Sequence, residues 1–153
     1  MAHSQGTVDV VEALNDPELE WLGNSFSSVS LVTMGSPISH LYQHYFGHLY
    51  PGFSDRVWKP LHQTLDRWVN VFRIDDYVGL EIDFGHLPHS EQQREAMESQ
   101  LAPGQIELHF TQCSNHPVGP RGHARYWSDA EVLEILRKEI FTHHQCDSKK
   151  KAA

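Results

Sequence analysis

The chain begins with the stretch Met1-Ala2-His3-Ser4-Gln5-Gly6, which places a serine between two small residues, Ala2 and Gly6. The pattern small-x-Ser-x-Gly is typical of a nucleophile elbow, a sharp turn from a strand into a helix with the serine at its tip. The turn holds the serine in a strained backbone conformation, and it brings neighbouring backbone too close for larger side chains at the flanking positions. The stretch therefore predicts an exposed, reactive hydroxyl at Ser4.

The segments after the elbow predict alternating helices and strands. Apolar residues over 7–15 indicate a short buried helix that ends at Asn15-Asp16-Pro17. The runs 29–34 and 69–74 are rich in β-branched and apolar residues, and the first is almost wholly apolar, as in a parallel strand covered on both faces. We therefore expect an α/β domain with a mostly parallel sheet flanked by helices.

The rest of the chain predicts one more strand and one well-defined helix. The polar segment 85–104 is expected to be a surface excursion, and the alternating residues 106–110 predict an edge strand. A flexible loop is expected over 111–127. Ser128 then fits a helix N-cap, because Glu131 three residues later completes a capping box.

Composition narrows the class of protein. The 153 residues suffice for one domain, and the net charge of −8, from 20 acidic against 12 basic residues, disfavours a nucleic-acid partner. Two cysteines provide neither a disulfide framework nor a zinc site, so a cytoplasmic location is expected. No apolar run reaches the roughly 20 residues that cross a bilayer, which predicts no membrane span.

A serine, a carboxylate and a histidine follow one another at the predicted turns. Asp76 lies 72 residues after Ser4, at the end of the strand 69–74, and His123 lies 47 residues after Asp76, in the loop 111–127. A serine hydroxyl becomes a nucleophile when an imidazole takes its proton, and a carboxylate fixes the imidazole tautomer and stabilises its charged form. The chain order Ser, Asp, His is that of one large class of hydrolases.

Other residues compete for two of these roles. Asp75 is adjacent to Asp76 in the same turn, and Asp83 is a more distant carboxylate. His116 lies in the same predicted loop as His123 and is the alternative base. The residues by themselves leave these choices open.

Four stretches of the chain resemble the carboxyl-terminal half of an α/β-hydrolase of the lipase or esterase type, beginning at the nucleophile elbow. The resemblance covers nearly the whole chain up to about Phe141. It predicts one domain over 1–145 followed by a polar tail over 146–153. The stretches are Ala2-His3-Ser4-Gln5-Gly6, Leu31-Val32-Thr33-Met34-Gly35-Ser36-Pro37, Trp68-Val69-Asn70-Val71-Phe72-Arg73-Ile74-Asp75-Asp76-Tyr77-Val78-Gly79 and Gly122-His123-Ala124-Arg125-Tyr126-Trp127.

The resemblance implies a role for each site residue. Ser4 would be the nucleophile, Asp76 the acid and His123 the base, with Asp76 preferred over Asp75 because the residues after it are similar to the family's turn. The main-chain amide of Gln5 would be one donor of the oxyanion hole. The implied substrate is a small-molecule or lipid acyl compound, and no cofactor or metal is implied.

The resemblance begins at the elbow, so the strand leading into Ser4, the earlier strands and the loop with a second oxyanion donor are expected to be missing. A truncated serine hydrolase is therefore expected. The alternative is a catalytically inactive fragment or interaction module that needs a partner chain to complete its sheet. Because unpaired strand edges favour association, contacts through exposed sheet edges are expected.

Three histidines form a separate pattern. His40, His44 and His48 are spaced four residues apart, and on a continuous helix they would share one face that could bind a transition metal. Gly47 weakens such a helix, and no carboxylate completes the set. The favoured interpretation is a half-exposed helix whose histidines form hydrogen bonds beside aromatic residues.

Overall fold

A computed structural model describes residues 1–53, 55–85 and 111–150 of the chain. These residues form four strands and four α-helices, with short 3-10 helices at Pro17–Leu19, Arg56–Trp58 and His123–Ser128 and a π-helix at Ile38–Gln43. In chain order the strands and α-helices are β1 (Ala2–His3), α1 (Gln5–Leu14), α2 (Trp21–Ser25), β2 (Ser30–Met34), α3 (Lys59–Thr64), β3 (Arg67–Arg73), β4 (Gln112–Val118) and α4 (Ala130–Lys150).

The four strands form one sheet in the order β1-β2-β3-β4, and every neighbouring pair is parallel. The predicted α/β class with a parallel sheet is confirmed. Because the strands are parallel, the turns after β1, β2, β3 and β4 all lie at one edge of the sheet. This edge, at the carboxyl ends of the strands, is where α/β sheets carry their functional groups.

Alternate residues of β2 and β3 supply two hydrophobic cores, one on each face of the sheet. On one face Leu31 and Trp68 pack with residues of α1 and α3, and on the other Val32 and Val69 pack with residues of α4. The nearly apolar composition of β2 follows from this, because helices cover both faces of the strand.

A buried polar row crosses the first of these cores and holds the chain that follows β3. Thr33, Asn70 and Asn115 lie side by side in register on β2, β3 and β4. The Thr33 hydroxyl donates to the Asn70 side chain at 3.0 Å, and the Asn70 amide donates to Asn115 at 2.9 Å. Asn115 also exchanges hydrogen bonds with the main chain of Ile82, at 2.8 and 2.9 Å. Buried amides are costly unless paired, so this row fixes the segment around residue 82 against the sheet.

The structure corrects the prediction that residues 111–127 form a flexible loop. Residues Gln112–Val118 form β4, which pairs with all of β3. Most of its residues are polar, so it lacks the apolar run that marks a strand, and Pro117 fits because β4 has a neighbour on one side only among the described residues. The predicted strand over 106–110, like most of the predicted excursion over 85–104, lies outside the described residues.

The last helix begins differently from the prediction. Its N-cap is Asp129 rather than Ser128, because the Asp129 carboxylate accepts the amide of Glu131 at 2.9 Å. Glu131 does not close a capping box; its carboxylate accepts the amide of Gly119 at 3.0 Å instead. Ser128 ends the preceding 3-10 helix, and α4 continues to Lys150, past residue 146 where a polar tail is predicted. None of the described helices is long and apolar enough to cross a membrane.

Candidate active site

Ser4 lies at a strained turn between β1 and α1. Its φ of 53° and ψ of −132° make it the only described non-glycine residue with positive φ. The Ser4 amide donates to the Met34 carbonyl at 3.0 Å, and the Ser4 carbonyl accepts the amide of Thr7 at 2.9 Å. The structure corrects the expectation that the strand before Ser4 is missing, because Ala2–His3 pairs with the end of β2.

Two buried hydroxyl groups stabilise this turn, and no local sequence pattern predicts them. The Thr7 hydroxyl donates to the Ser4 carbonyl at 2.7 Å and accepts from the Ser36 hydroxyl at 2.9 Å. Thr7 and Ser36 are both buried, and the bond between their hydroxyls is shielded from water. The loop after β2 thereby fixes the backbone of Ser4, which offsets the cost of its conformation.

His123 contacts both other members of the predicted triad. Its Nε2 lies 2.7 Å from the Ser4 hydroxyl oxygen, and its Nδ1 lies 2.9 Å from each carboxylate oxygen of Asp76. A carboxylate only accepts hydrogen bonds, so Nδ1 carries a proton and Nε2 is left to accept from Ser4. Gly122, at φ 64°, turns the chain from β4 into the 3-10 helix that begins at His123. The structure therefore joins Ser4, His123 and Asp76 in one hydrogen-bonded chain.

Asp76 is fully buried, and donors surround its carboxylate. Besides His123, it accepts the amides of Val78 at 3.0 Å and Gly79 at 3.1 Å and the hydroxyl of Tyr126 at 2.9 Å. Burial alone would raise the pKa of Asp76, but these four donors outweigh it and the pKa lies below its usual value. The carboxylate is therefore charged at neutral pH, as the partner of an imidazolium must be.

Two glycines, Gly35 and Gly79, shape the space beside the triad. Gly35, at φ 55°, leaves no room for a side chain, because a Cβ there would lie 2.9 Å from Asp76 Oδ2 and 3.3 Å from His123 Cε1. A Cβ on Gly79 would overlap the main chain of Gly35. The turn after β2 and the turn after β3 can approach each other only because both residues are glycine.

His3 packs against the imidazole of His123. Its ring stacks on that of His123 with 4.9 Å between centroids, and its Nε2 donates to the His123 carbonyl at 3.1 Å. Burial lowers the pKa of His3, and the nearby His123 ring acts in the same direction, although the hydrogen bond to the His123 carbonyl and the charge of Asp76 oppose them. A neutral His3 adds no charge beside His123 while it fixes the plane of the ring.

Gln5 lies where the predicted oxyanion donor should be. It is the first residue of α1, and the amides of the first turn have no carbonyl partner within the helix. The positive end of the helix dipole adds to the attraction for an anion. The side chain of Gln5 points to Tyr42, whose hydroxyl donates to Gln5 Oε1 at 2.6 Å.

The structure corrects the expectation that the turn requires a small residue at Gly6. A Cβ at this position would meet nothing within 4 Å.

The alternative site residues form hydrogen bonds with groups other than the side chains of Ser4 and His123. Asp75 accepts the amide of Gly122 at 2.9 Å, so it supports the loop that carries His123. The carboxylate of Asp83 accepts the amide of Gly85 at 2.9 Å. The imidazole of His116 lies 3.2 Å from the hydroxyl of Ser114, its neighbour on β4. The geometry thus joins Asp76, not Asp75 or Asp83, to the imidazole of His123.

The three spaced histidines do not lie on one regular helix. His40 belongs to the π-helix Ile38–Gln43, which breaks the four-residue spacing, and His48 lies in a turn after it. Within the described residues, no three side chains of His, Cys, Asp or Glu are grouped so that they could hold a metal ion. A cavity of about 480 Å³ lies between His40 and residues 80–85, and none of the triad residues lines it.

Comparisons with protein-family models, with curated proteins and with solved structures find no match for the chain. The geometry of Ser4, His123 and Asp76 is therefore the observation from which a function can be inferred.

Buried carboxylates near the site predict acid-sensitive stability. The Asp129 carboxylate pairs with the guanidinium of Arg73 at 2.6 Å, and this interaction lowers the pKa of Asp129, as donors lower that of Asp76. A carboxyl group whose pKa is lower in the folded state stabilises the fold when the pH is above its unfolded pKa of 3.8. This stabilisation is lost as the pH falls through the folded pKa. We expect the unfolding temperature to fall between about pH 5 and about pH 2, measured by circular dichroism.

The double variant Arg73→Met/Asp129→Asn provides the comparison. It removes both charges of the buried pair, so its unfolding temperature should depend less steeply on pH than that of the unmodified chain. Equal pH dependence of the two proteins would show that this pair does not contribute to the acid sensitivity.

Proposed function

We propose that the chain is a serine hydrolase that cleaves ester or related acyl bonds through an acyl-enzyme at Ser4. The observation that carries the proposal is the hydrogen-bonded chain from Ser4 Oγ through both nitrogens of His123 to the buried Asp76, with distances of 2.7 and 2.9 Å. Nucleophile, base and orienting acid each have the partner that acyl transfer requires. The strained backbone of Ser4, at the tip of a strand-to-helix turn, supports the same role.

The proposed reaction has two halves. Ser4 Oγ bonds to the acyl carbon while its proton passes to His123 Nε2, and Asp76 stabilises the imidazolium that results. The tetrahedral intermediate expels the alcohol, which leaves with the proton from His123. A water molecule then attacks the acyl-enzyme, gives its proton to His123, and releases the acid and the free Ser4 hydroxyl. The main-chain amide of Gln5 would donate a hydrogen bond to the oxyanion in both halves of the reaction.

We also propose that the sheet corresponds to the carboxyl-terminal half of an α/β-hydrolase fold. Three observations support this: the nucleophile follows β1, the acid follows β3 and the base follows β4, all at the carboxyl edge of one parallel sheet. This chain order and placement are those of the α/β-hydrolases. The substrate would be a small-molecule or lipid acyl compound.

Labelling with a fluorophosphonate tests the hydrolase directly, because the activated serine displaces fluoride and becomes covalently modified. We expect the 153-residue chain to gain one label at Ser4, located by mass spectrometry of its peptides. Ser4→Ala should abolish labelling, because it removes the oxygen that forms the bond. His123→Ala should reduce it by at least about 1,000-fold, because no base remains.

Ser114→Ala is the matched control. Ser114 also forms a hydrogen bond with a histidine, His116 at 3.2 Å, but it lies within β4 and not at a strained turn. This variant should be labelled at the unmodified rate. A folded chain that takes no label, or that takes it at a serine other than Ser4, would contradict the proposal.

A second candidate is a catalytically inactive interaction module that needs a partner chain. One observation favours it: among the described residues, β1 has a strand neighbour on one side only and contributes just two residues to the sheet. An unpaired parallel edge can accept another strand. A folded sample that resists labelling alone, and is labelled once a partner chain is added, would favour this candidate.

A further inference from the structure

The Asp76 carboxylate has one side-chain donor besides His123, and this donor is Tyr126. We propose that Tyr126 is a positioning residue that sets how strongly Asp76 acts on the imidazole of His123. This inference rests on the proposed hydrolase function, and it gives the tyrosine a role that the Ser-His-Asp scheme leaves out.

The Tyr126 hydroxyl and the His123 imidazole bind the same carboxylate oxygen. The hydroxyl donates to Asp76 Oδ2 at 2.9 Å, and Nδ1 of His123 lies 2.9 Å from that oxygen. Tyr126 and Asp76 are both fully buried, so water does not substitute for either donor. A change in one hydrogen bond therefore changes the charge that the carboxylate presents to the other.

The sequence places this hydroxyl and the imidazole on one short segment. Tyr126 follows His123 by three residues within His123–Ser128, and a kink at Arg125, with φ −110° and ψ 17°, lies between them. One segment therefore delivers both donors to Asp76. Any shift of this segment would alter both hydrogen bonds together.

The ring of Tyr126 is held on the side away from the triad. The Arg73 guanidinium lies 4.8 Å from its centroid, and Arg73 is fixed in turn by Asp129 at 2.6 Å and by the carbonyl of Gly119. On another side, Tyr126 Cε2 is 2.9 Å from the position that a Cβ on Gly35 would take. With so little free space, the hydroxyl is preorganised toward Asp76.

Removal of the hydroxyl has a predictable electrostatic sign. The hydroxyl donor takes up part of the carboxylate's negative charge, so its loss leaves more charge facing His123 and favours the imidazolium. Four charged or titratable side chains surround Tyr126 and His123. They are His3 from β1, Arg73 at the end of β3, Asp76 in the turn after β3, and Asp129 before α4. Tyr126→Phe leaves all four side chains in place.

The test measures the protonation of His123 in Tyr126→Phe by NMR of its ring protons and nitrogens, on the whole 153-residue chain. We expect its titration midpoint to move to higher pH than in the unmodified chain. Below the raised midpoint, the fluorophosphonate labelling rate at Ser4 should fall about 10-fold, because the imidazolium that the loss of one hydrogen bond favours cannot accept the proton of Ser4. The pH profile of labelling should shift in the same direction as the imidazole titration.

Tyr50→Phe is the matched control. The Tyr50 hydroxyl also donates to a carboxylate, that of Glu12 at 2.5 Å, but on the surface of the molecule. This variant should change neither the His123 midpoint nor the labelling rate. If Tyr126→Phe leaves both quantities at the unmodified values, or lowers the His123 midpoint, the positioning role is wrong.

The two readouts separate this inference from the proposed function. If the unmodified chain takes no label, the hydrolase proposal fails, whereas the NMR titration still tests the coupling of Tyr126 to His123. If Tyr126→Phe does not fold, 3-fluorotyrosine introduced at position 126 replaces it. Its more acidic hydroxyl is a stronger donor, so the His123 midpoint should move to lower pH, and an unmoved or raised midpoint would overturn the inference.

Discussion

Asp76→Asn is expected to slow fluorophosphonate labelling of Ser4 by about 10,000-fold at neutral pH, while the chain stays folded. The carboxylate accepts a hydrogen bond from His123 Nδ1–H at 2.9 Å, which leaves Nε2 free to take the proton of Ser4. An asparagine can turn its amide nitrogen toward Nδ1. The imidazole then carries its proton on Nε2, where it cannot act as a base for Ser4.

The measurement is the rate constant for labelling as a function of pH, with folding checked by circular dichroism. Asp75→Asn is the matched control, because it makes the same change one residue earlier. Asp75 accepts the Gly122 amide at 2.9 Å, and an asparagine oxygen can accept the same bond. We expect the labelling rate of Asp75→Asn to stay within about 10-fold of that of the unmodified chain, because at most one hydrogen bond is lost.

The two variants also decide between the carboxylates that the sequence left open. If Asp75→Asn slows labelling more than Asp76→Asn does, the acid is Asp75 and the geometry around His123 is not the reactive one. Rates that are equal and unchanged would mean that neither carboxylate supports the base.

The parallel sheet could be predicted because its inner strands are strongly patterned. The apolar run that contains β2 reflects burial on both faces of the strand. Most residues of β3 are buried in the same way. The elbow at Ser4 could also be predicted, since its positive φ is a property of a short local turn. Strands and turns that depend on local sequence can therefore be predicted.

The polar strand β4 could not be predicted in this way. Gln112–Val118 is held by pairing with β3 and by contacts such as that of Asn115 with the segment around Ile82. Its side chains carry no apolar alternation, so only the tertiary partner makes it a strand. For this reason the sequence predicts a flexible loop where the structure has the strand β4.

The residues that support the triad could not be predicted because each contacts a residue that is distant in the sequence. Tyr126 and His3 contact Asp76 and His123, yet nothing in their local sequence marks a hydrogen bond or a stacked ring. A chain order of Ser, Asp and His can suggest which residues meet. It cannot show which hydroxyls, rings and glycines hold them at the distances observed.

Gly79→Ala is expected to destabilise the fold severely, although its backbone conformation is open to alanine. The added Cβ would fall well inside the 3.0 Å limit of real Cβ contacts, against the carbonyl carbon and oxygen of Gly35. Backbone atoms cannot rotate away as a side chain does, so the turns after β2 and β3 must separate. Overpacking typically costs about 1–3 kcal/mol, and a backbone contact falls at or above the upper end of that range.

The expected result is a fall in unfolding temperature of about 10 °C, since each kcal/mol corresponds to about 2–4 °C in a chain of this size. Labelling of Ser4 should also slow by about 100-fold in the folded fraction, because the Gly79 turn carries Asp76 and a shift of about 1 Å misplaces it against His123. Thermal circular dichroism and labelling at a temperature well below the transition separate the two effects.

Gly119→Ala is the control for both measurements. A Cβ there would lie 3.6 Å from the carboxylate of Glu131, an ordinary van der Waals contact, so its unfolding temperature and labelling rate should stay close to those of the unmodified chain. If Gly79→Ala behaves like this control, the two turns are not packed together as described. The carboxylate of Asp76 would then be held by its hydrogen bonds alone, without the close approach of Gly35 and Gly79 beneath it.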